Sequence, residues 1–345
     1  RDTNLLAQPI DLSSERLSGE ATPIAEGVRV EESQRLAYAS ASLNGHLAWA
    51  TSRAADSVLA VYSRDGRRLR TLDVPPGQLA QPAFSPDGSR LLFIRIERGG
   101  SDIFMHDLKT GVTERLTTDP DFDELPVWTP DGRAMTYLGR DEELRVTAHL
   151  PIGTGAQPIT RVAGVYATGL ESPDGRYIIY TKSHPNTGND ILAQPLQGSA
   201  APVTLLQGPG EDVARAQSAD GRTIVIVQTV GARSFVSVAR LRLDGSTPIL
   251  GPAQTVAEGT ERFALRPDGR EIFAWMPDGT LKVTALAPAG DTLAIGATTV
   301  VGRWPAGTQE GTANPSGTEF VVSEYPFAVG QTLRVLTRWD ARLKK

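Results

Sequence analysis

The stretch QPAFSPDGSRLLFIR, residues 81–95, holds the unit from which the fold of this 345-residue chain is predicted. A short apolar strand, QPAF, ends at Ser85, and Pro86 presets the backbone for a turn. Asp87 supplies a side chain that hydrogen-bonds within the turn, and Gly88 provides the positive φ that such turns require. The apolar run RLLFIR then returns beside the first strand, so this stretch predicts a β-hairpin.

Two more strands follow the hairpin. They are DIFMHDL at residues 102–108 and VTERL at residues 112–116, joined by the turn sequence KTG. Each is short and is bounded by glycine or polar turn residues, as strands of an antiparallel sheet usually are. Residues 81–116 therefore predict one sheet of four short antiparallel strands.

The hairpin turn recurs along the whole chain as SPDG or a close variant. Its glycines follow one another at intervals of 43 to 48 residues, and we interpret all seven as structural turn residues: Gly45, Gly88, Gly132, Gly175, Gly221, Gly269 and Gly317. Four strands in each period of about 45 residues are typical of a β-propeller blade. The sequence predicts an all-β propeller of about seven four-stranded blades, with six or eight left open.

The two ends of the chain are predicted to close the ring. Residues 1–30 contain a strand pair without a turn motif of its own, and residues 310–345 follow the last repeat. Combining both in one blade removes the exposed strand edges that an open array would leave. The sequence therefore predicts one propeller domain over residues 1–345, with 1–30 and 310–345 sharing the closing blade.

The repeats resemble a known family. QPAFSPDGSRLLFIR and ELPVWTPDGRAMTYLGR (residues 124–140) are similar to the repeat of TolB-type propellers, which are relatives of the WD repeat. Residues 5–28 and 331–345 resemble segments that flank the C-terminal propellers of bacterial serine/threonine kinases and regulators. The resemblance implies an accessory sensor or binding propeller located in the periplasm or otherwise outside the cytoplasm. It implies no phosphotransfer, because the HRD, DFG and glycine-rich loop motifs of kinases are missing.

Composition narrows the classes of partner. The net charge is −5, with 35 Lys and Arg against 40 Asp and Glu, which lacks the basic field that nucleic acid requires. Cysteine is absent, which rules out disulfides and thiolate metal sites. No apolar run is long enough to cross a membrane. We expect a protein or peptide partner, leave a membrane-associated complex open, and expect the chain to be part of a longer polypeptide because it starts at Arg1.

Acidic and amide side chains gather in the loops that lead into the first strand of each predicted blade. The candidate ligand- or partner-binding residues among them are Asp121, Asp123, Glu124, Glu211, Asp212, Glu261, Gln309 and Glu310. Glu124, Glu261 and Gln309 each lie eight residues before a turn glycine, so they would face the central channel together. We predict an acidic mouth that binds a basic peptide or a cation such as calcium, with Glu124 and Glu261 as candidate metal ligands. The alternative is that these loops are only solvated turns.

The predicted function is that of a non-catalytic propeller that acts as an interaction, sensor or scaffold module of a larger bacterial protein or assembly. Trp304, which precedes a proline in a glycine-containing loop, is predicted to be an exposed contact residue. No catalytic residue and no cofactor beyond the cation are predicted. The alternative is an enzyme with its active site at the channel mouth, either a carbohydrate lyase or hydrolase or a propeller associated with a peptidase.

Overall fold

The computed structural model describes residues 4–28, 30–31, 36–42, 44–51, 56–97, 100–141, 144–153, 155–243, 245, 247–260, 262–304, 308–324 and 332–337. The chain divides into two compact units, one formed by Arg1–Asp56 with Pro326–Lys345 and the other by Ser57–Tyr325. In the described part of the chain all regular structure is strand, and no helix is long and apolar enough to cross a membrane.

The first unit contains short strand pairs and one three-stranded sheet. Its strands are β1 (Leu5–Ala7), β2 (Ile10–Asp11), β3 (Arg16–Leu17), β4 (Thr22–Ala25), β5 (Val30–Glu31), β6 (Leu36–Ala37), β7 (Ala39–Ala41), β8 (His46–Thr51) and β34 (Thr332–Thr337). β1 pairs with β4, β2 with β3 and β5 with β6, while β8 lies between β34 and β7. Ile24, Leu47 and Trp49 belong to the apolar cluster that these strands enclose. The turn glycine Gly45 lies between β7 and β8.

The second unit is built from six sheets of four strands. Sheet 1 contains β32 (Thr308–Ala313), β33 (Glu319–Glu324), β9 (Val58–Ser63) and β10 (Arg68–Thr71); sheet 2 contains β11 (Gln78–Phe84), β12 (Arg90–Glu97), β13 (Gly100–Asp107) and β14 (Thr113–Arg115); sheet 3 contains β15 (Glu124–Trp128), β16 (Ala134–Asp141), β17 (Leu144–Pro151) and β18 (Ile159–Ala163).

The chain continues through sheets 4 to 6 in the same antiparallel order. Sheet 4 contains β19 (Ala167–Glu171), β20 (Tyr177–His184), β21 (Gly188–Pro195) and β22 (Val203–Leu206); sheet 5 contains β23 (Gly210–Gln217), β24 (Thr223–Val230), β25 (Arg233–Arg242) and β27 (Gln254–Glu258), with β26 (Ile249–Leu250) at its end; sheet 6 contains β28 (Phe263–Leu265), β29 (Glu271–Trp275), β30 (Thr280–Ala289) and β31 (Thr292–Arg303). A two-residue parallel pairing of β21 with β23 joins sheets 4 and 5.

The recurrent turn has the hydrogen-bond pattern that its sequence predicts. In the turn between β11 and β12, Ser85 Oγ donates to Asp87 Oδ1 (2.6 Å), and the Ser89 amide donates to the same oxygen (3.0 Å). The hydrogen bond from Ser85 is the main reason why the pKa of Asp87 is lowered to about 2. The glycines of all seven turns have φ between 65° and 81°, the left-handed region that glycine adopts without strain.

Neighbouring turns of the second unit touch each other around a circle. A Cβ added to Gly132 would lie 3.5 Å from Pro86 Cδ, and one added to Gly88 would lie 2.7 Å from Pro315 Cδ. Gly221, Gly269 and Gly317 likewise face the turn of the preceding sheet, and Gly175 alone of the six has open space around it. The contact between Gly88 and Pro315 joins sheet 2 to sheet 1, so five of the six neighbouring pairs of turns approach each other closely, all within residues 57–325.

The strands that close the ring are not all those that the sequence predicts. β33 pairs with β9 over six residues, from Glu319 opposite Ser63 to Glu324 opposite Val58. β32 and β33 thus belong to the closing sheet and largely overlap the predicted segment 310–345, but β33 pairs with β9 rather than with residues 1–30. The physical reason is that β9 is an apolar strand buried on both faces, whereas β2 and β3 are exposed two-residue strands. The sequence analysis favours seven blades and leaves six open. The unit that contains the closing sheet has six sheets.

Apolar side chains pack between successive sheets. Leu59 and Val61 of sheet 1 pack with Leu91 and Phe93 of sheet 2, and Leu92 and Ile94 pack with Met135 of sheet 3. The middle strands read as nearly continuous apolar runs because each is covered on both faces by a neighbouring sheet. Burying a Leu, Ile or Phe side chain contributes about 1.5–3 kcal/mol, so these inter-sheet clusters stabilise the ring more than any surface contact can.

Candidate functional site

The first strands of the six sheets surround a central channel of about 460 Å³. Every one of these inner strands contributes to its wall. The described lining residues are Gln81–Phe84, Pro86, Leu125–Trp128, Pro130, Ala167, Thr168, Ala214–Ala219, Arg262–Leu265, Pro267 and Gly311–Ala313. Five of them are prolines and seven are alanines, so the wall is largely apolar and the proline rings restrict its backbone.

An extra residue in the inner strands decides which side chains face the channel. β11, β15, β19, β23 and β32 each contain one residue more than the paired segment of the neighbouring strand, which is the definition of a β-bulge. Gln81 and Leu125 lie at these bulges with φ of 53° and 52°, a region that non-glycine residues seldom adopt. On β11 and β15 the positions seven to four residues before the turn glycine line the channel, whereas on β19 Ala167, eight residues before its glycine, lines it as well.

Hydrogen bonds tie adjacent inner strands together at this wall. The Leu125 amide donates to Gln81 Oε1 (2.5 Å), and Thr168 Oγ1 donates to the Leu125 carbonyl (2.8 Å). Gln217 Nε2 donates to the Glu171 carbonyl (2.6 Å). Three successive gaps between inner strands are therefore bridged, which holds the left-handed Leu125 in place and makes the wall a pre-formed surface.

The charged groups on the channel wall are arginines. Arg215 and Arg262 are both exposed, and the described residues that line the channel include no Asp or Glu. In the described part of the chain, Gln217 Oε1 is a buried acceptor without a hydrogen-bond partner. The described wall is thus basic. A channel of this kind favours a ligand that brings carboxylates.

The predicted acidic mouth is not found along the described wall. Asp121 is exposed, Asp123 is buried, and Glu124 is half-buried with its carboxylate 3.9 Å from Arg145; none of the three lines the channel. The prediction counted eight residues back from the turn glycine and assumed regular alternation, whereas the bulge moves the lining residues closer to the turn.

The other predicted binding residues divide into two groups. Glu211 is exposed and Asp212 is buried, and neither lines the channel. Glu261 and the side chains of Gln309 and Glu310 lie outside the described residues, so their roles stay predictions. The calcium site at Glu124 and Glu261 stays a prediction as well; among the described residues, no three His, Asp or Glu side chains form a group that could hold a metal ion.

Trp304 is buried rather than exposed, with 4% of its surface accessible. Its ring lies 4.6 Å from the ring of Tyr62, 5.4 Å from Phe320 and 5.9 Å from Trp275, measured between centroids. The prediction of an exposed contact residue was therefore wrong. The small residues Ala60 and Ala313 leave a space between sheets 6 and 1, and the indole of Trp304 fills it.

Sequence analysis missed three residues that carry the polar chemistry of the channel: Arg215, Gln217 and Arg262. Their distance from the turn glycine could have identified them. Arg262 lies seven residues before Gly269, while Arg215 and Gln217 lie six and four residues before Gly221. Arg262 also borders a second cavity of about 550 Å³ that contains Arg233, Glu258 and Trp275. Arg262 therefore lies where the channel opens toward a surface depression.

Glu171, His149 and Arg161 form a buried polar cluster next to the channel wall. The Glu171 carboxylate accepts hydrogen bonds from His149 Nδ1 (2.8 Å) and Arg161 Nε (2.9 Å). Burial alone would raise the pKa of Glu171, but these hydrogen bonds and charges outweigh it and hold the pKa below the usual value. Since the Glu171 carbonyl also accepts the bond from Gln217, the cluster fixes the strand that positions Gln217.

A closed ring of six four-stranded sheets around a pre-formed channel defines a β-propeller. The chain belongs to the TolB beta propeller domain family, whose match covers residues 31–251. The resemblance seen in the repeats is thereby confirmed.

Individual relatives match over shorter stretches. The Tol-Pal system protein TolB of Xanthomonas oryzae pv. oryzae is 34% identical over 92 residues, which is 27% of this chain and 19% of the relative. That of Alcanivorax borkumensis is 30% identical over 79 residues, or 22% of this chain and 18% of the relative. The chain thus spans about a fifth of these relatives in each alignment.

Solved structures support the fold. TolB from Acinetobacter baumannii superposes with a TM-score of 0.53 at 15% identity, covering 81% of this chain and 65% of that one. A protein of Agrobacterium tumefaciens described as TolB gives a TM-score of 0.51 at 19% identity, covering 79% of this chain and 99% of that one.

Proposed function

We propose that this chain is a non-catalytic protein-binding propeller and that its central channel takes up a segment of a partner protein. The observation that carries the proposal is the channel wall: six inner strands, four of them tied by hydrogen bonds, with an apolar lining and a few polar groups. Pre-formed apolar concavities with sparse polar groups are typical of binding sites. Membership of the TolB family supports a role in an assembly of proteins outside the cytoplasm, such as the Tol-Pal system named for its relatives.

The dimensions and chemistry of the wall favour an extended segment over a folded domain. A cavity of about 460 Å³ holds only a few residues. An extended chain would bring carbonyl or carboxylate oxygens to the exposed Arg215 guanidinium. The rest of the affinity would come from apolar contact with the proline and alanine wall, which is already ordered before binding and so costs little entropy.

Site-specific photo-crosslinking in the native bacterium tests this proposal. A photoreactive phenylalanine analogue replaces Arg215 in one strain and Arg222 in the other; both arginines are exposed, but only Arg215 lines the channel. We expect a protein adduct from position 215 and none of the same size from position 222. Equal adducts from both positions, or none from 215, would contradict the channel as the binding site.

A purified partner gives the sharper arm of the test. The Pal protein of the same bacterium is the first probe, because the relatives are named Tol-Pal system proteins. Calorimetric titration should detect binding to the wild-type chain and a loss of at least about tenfold in affinity for Arg215→Glu, while Arg222→Glu binds as wild type. Binding that is unchanged in Arg215→Glu would place Pal elsewhere on the protein.

A further inference from the structure

Two buried carboxylates come together where sheet 2 meets sheet 3. Asp102, on β13, is 7% exposed, and Asp123, just before β15, is 2% exposed. The backbone joins their two segments: the Asp123 amide donates to the Ser101 carbonyl (2.9 Å), and Ser101 Oγ donates to the Asp123 carbonyl (3.0 Å). We call this contact the acidic seam. It lies at the junction of two sheets rather than in the channel.

The carboxylates of the acidic seam are only partly satisfied. Asp102 Oδ2 accepts a hydrogen bond from Arg115 (2.7 Å), while Asp102 Oδ1 and Asp123 Oδ2 are buried without a partner among the described residues. A buried carboxylate oxygen without a donor is costly when the group is ionised and much less so when it is protonated.

The surroundings of Asp123 contain more negative than positive charge. Asp119 and Asp121 come from its own loop and Asp102 from β13, while the Tyr137 phenol from β16 is neutral. Thr117 supplies a hydrogen bond that favours the ionised form. Arg115 is engaged by Asp102, and Arg95, opposite Asp102 on β12, is engaged by Glu97. Burial is the main reason why the pKa of Asp123 is raised to about 7.

The same arrangement recurs between sheets 4 and 5. Asp190 follows Gly188 as Asp102 follows Gly100, and Asp212 lies nine residues before its turn glycine, as Asp123 does. Asp190 and Asp212 are 5% and 6% exposed, and Asp190 Oδ1 is buried without a partner in the described structure. Burial and the nearby Asp190 also raise the pKa of Asp212, although Gln228 donates a hydrogen bond to it. A pair of buried aspartates is therefore present at two sheet junctions, between sheets 2 and 3 and between sheets 4 and 5.

We propose that the acidic seam is a proton-binding joint: Asp123 holds a proton when sheets 2 and 3 are packed, and its ionisation weakens that packing. A protonated Asp123 has an O–H to donate and no charge to bury. An ionised Asp123 faces Asp102, Asp119 and Asp121 in a place that water does not reach. The propeller thereby responds to a rise of pH through the neutral range by loosening the junction of sheets 2 and 3.

The sign of the effect follows from linkage. Asp123 titrates higher in the folded than in the unfolded protein, so folding is favoured below the unfolded value of 3.8 and stability falls as pH rises toward about 7. Carboxylates with lowered pKa values, such as Asp87, complete their titration below this range. The difference in folding stability between wild type and an Asp123 variant, followed from pH 5.5 to 8.5, therefore reports the titration of Asp123.

The experiment compares thermal melting of the full chain at pH 5.5 and 8.5 for wild type, Asp123→Asn and Asp121→Asn. The asparagine amide keeps the size and neutral state of protonated Asp123, and Asp121 is an exposed control in the same loop. We expect the melting temperature of Asp123→Asn relative to wild type to rise by about 4–8 °C between the two pH values, which corresponds to roughly thirtyfold in the folding equilibrium for a domain of this size. Asp121→Asn should parallel wild type.

Two further readouts keep the proposal open to refutation if the variant folds poorly. In unmutated protein labelled with ¹³C at aspartate carboxyls, the Asp123 resonance should titrate near neutral pH, and a midpoint below about 5 would overturn the proposal. Hydrogen exchange at the Asp123 amide should quicken at pH 8.5 beyond the intrinsic increase. If calcium raises the wild-type melting temperature at pH 8.5 but not that of Asp123→Asn, a metal ion occupies the seam and the proton-binding proposal is wrong.

Discussion

Replacing Gly88 by alanine should destabilise the propeller more than the same change at Gly175, although both are turn glycines of the same motif. Their φ angles are 74° and 65°, so the left-handed conformation costs an alanine about 1–2 kcal/mol at either position. The two sites differ in what the new methyl group meets. At Gly88 it would lie 2.7 Å from Cδ and 3.1 Å from Cγ of Pro315, whereas at Gly175 nothing lies within 4 Å.

The overlap with Pro315 adds about 1–3 kcal/mol, because a ring packed between two turns must shift to admit a methyl group. The expected losses in free energy of unfolding are therefore about 2–5 kcal/mol for Gly88→Ala and about 1–2 kcal/mol for Gly175→Ala. Urea titrations followed by tryptophan fluorescence measure both, and the slope with urea should stay unchanged.

A double-mutant cycle separates the two terms. Pro315→Ala removes the ring atoms that the new methyl group would meet, so the cost of Gly88→Ala in that background should fall to the value measured for Gly175→Ala. Equal losses for the two single variants would refute the close approach of the turns. A coupling energy near zero between Gly88→Ala and Pro315→Ala would refute it independently.

Three further outcomes follow from the contacts described above. Trp304→Ala should lose about 3–5 kcal/mol of stability in chemical denaturation, because it empties a buried site; a loss under 1 kcal/mol would mean that the ring is exposed. Ion pairs with Arg64 and Arg266 lower the pKa of Glu271, so its stabilising effect is present above the ordinary value of 4.5 and is lost as pH falls through the lower folded value. Glu271→Gln should therefore cost about 1–2 kcal/mol at pH 7 and progressively less as the pH falls below 4.5, measured by urea titration at each pH. Arg215→Ala should leave the melting temperature within about 1 °C of wild type, since its charge is exposed and serves binding rather than folding.

The repeated hairpin could be predicted from sequence because its information is local. Ser85, Asp87 and Gly88 form the turn through bonds within five residues, and the apolar run after them reads directly as a buried strand. Such local consistency made both the all-β class and the TolB resemblance predictable. The choice of closing strands was not local, since it depended on which distant segment β33 would pair with.

The channel lining could not be predicted by counting residues, because a bulge changes the face to which a strand presents its side chains. Glu124 was expected in the channel on the assumption of regular alternation, and one extra residue before Val127 turned it away. Trp304 was misplaced for a different reason: its burial depends on Ala60 and Ala313, which come from the opposite end of the unit. Neither a bulge without glycine nor a gap left by small residues has a reliable signal in a single sequence.

The pairing of β33 with β9 brings together residues such as Tyr62 and Glu324, which are 262 residues apart. During synthesis, β9 must therefore wait with an open edge until almost the entire unit has left the ribosome. Contacts of such long sequence separation are slow to form, and an exposed apolar edge can pair with the wrong chain. The last stage of maturation is consequently the moment at which this protein is most vulnerable to aggregation and most dependent on chaperones.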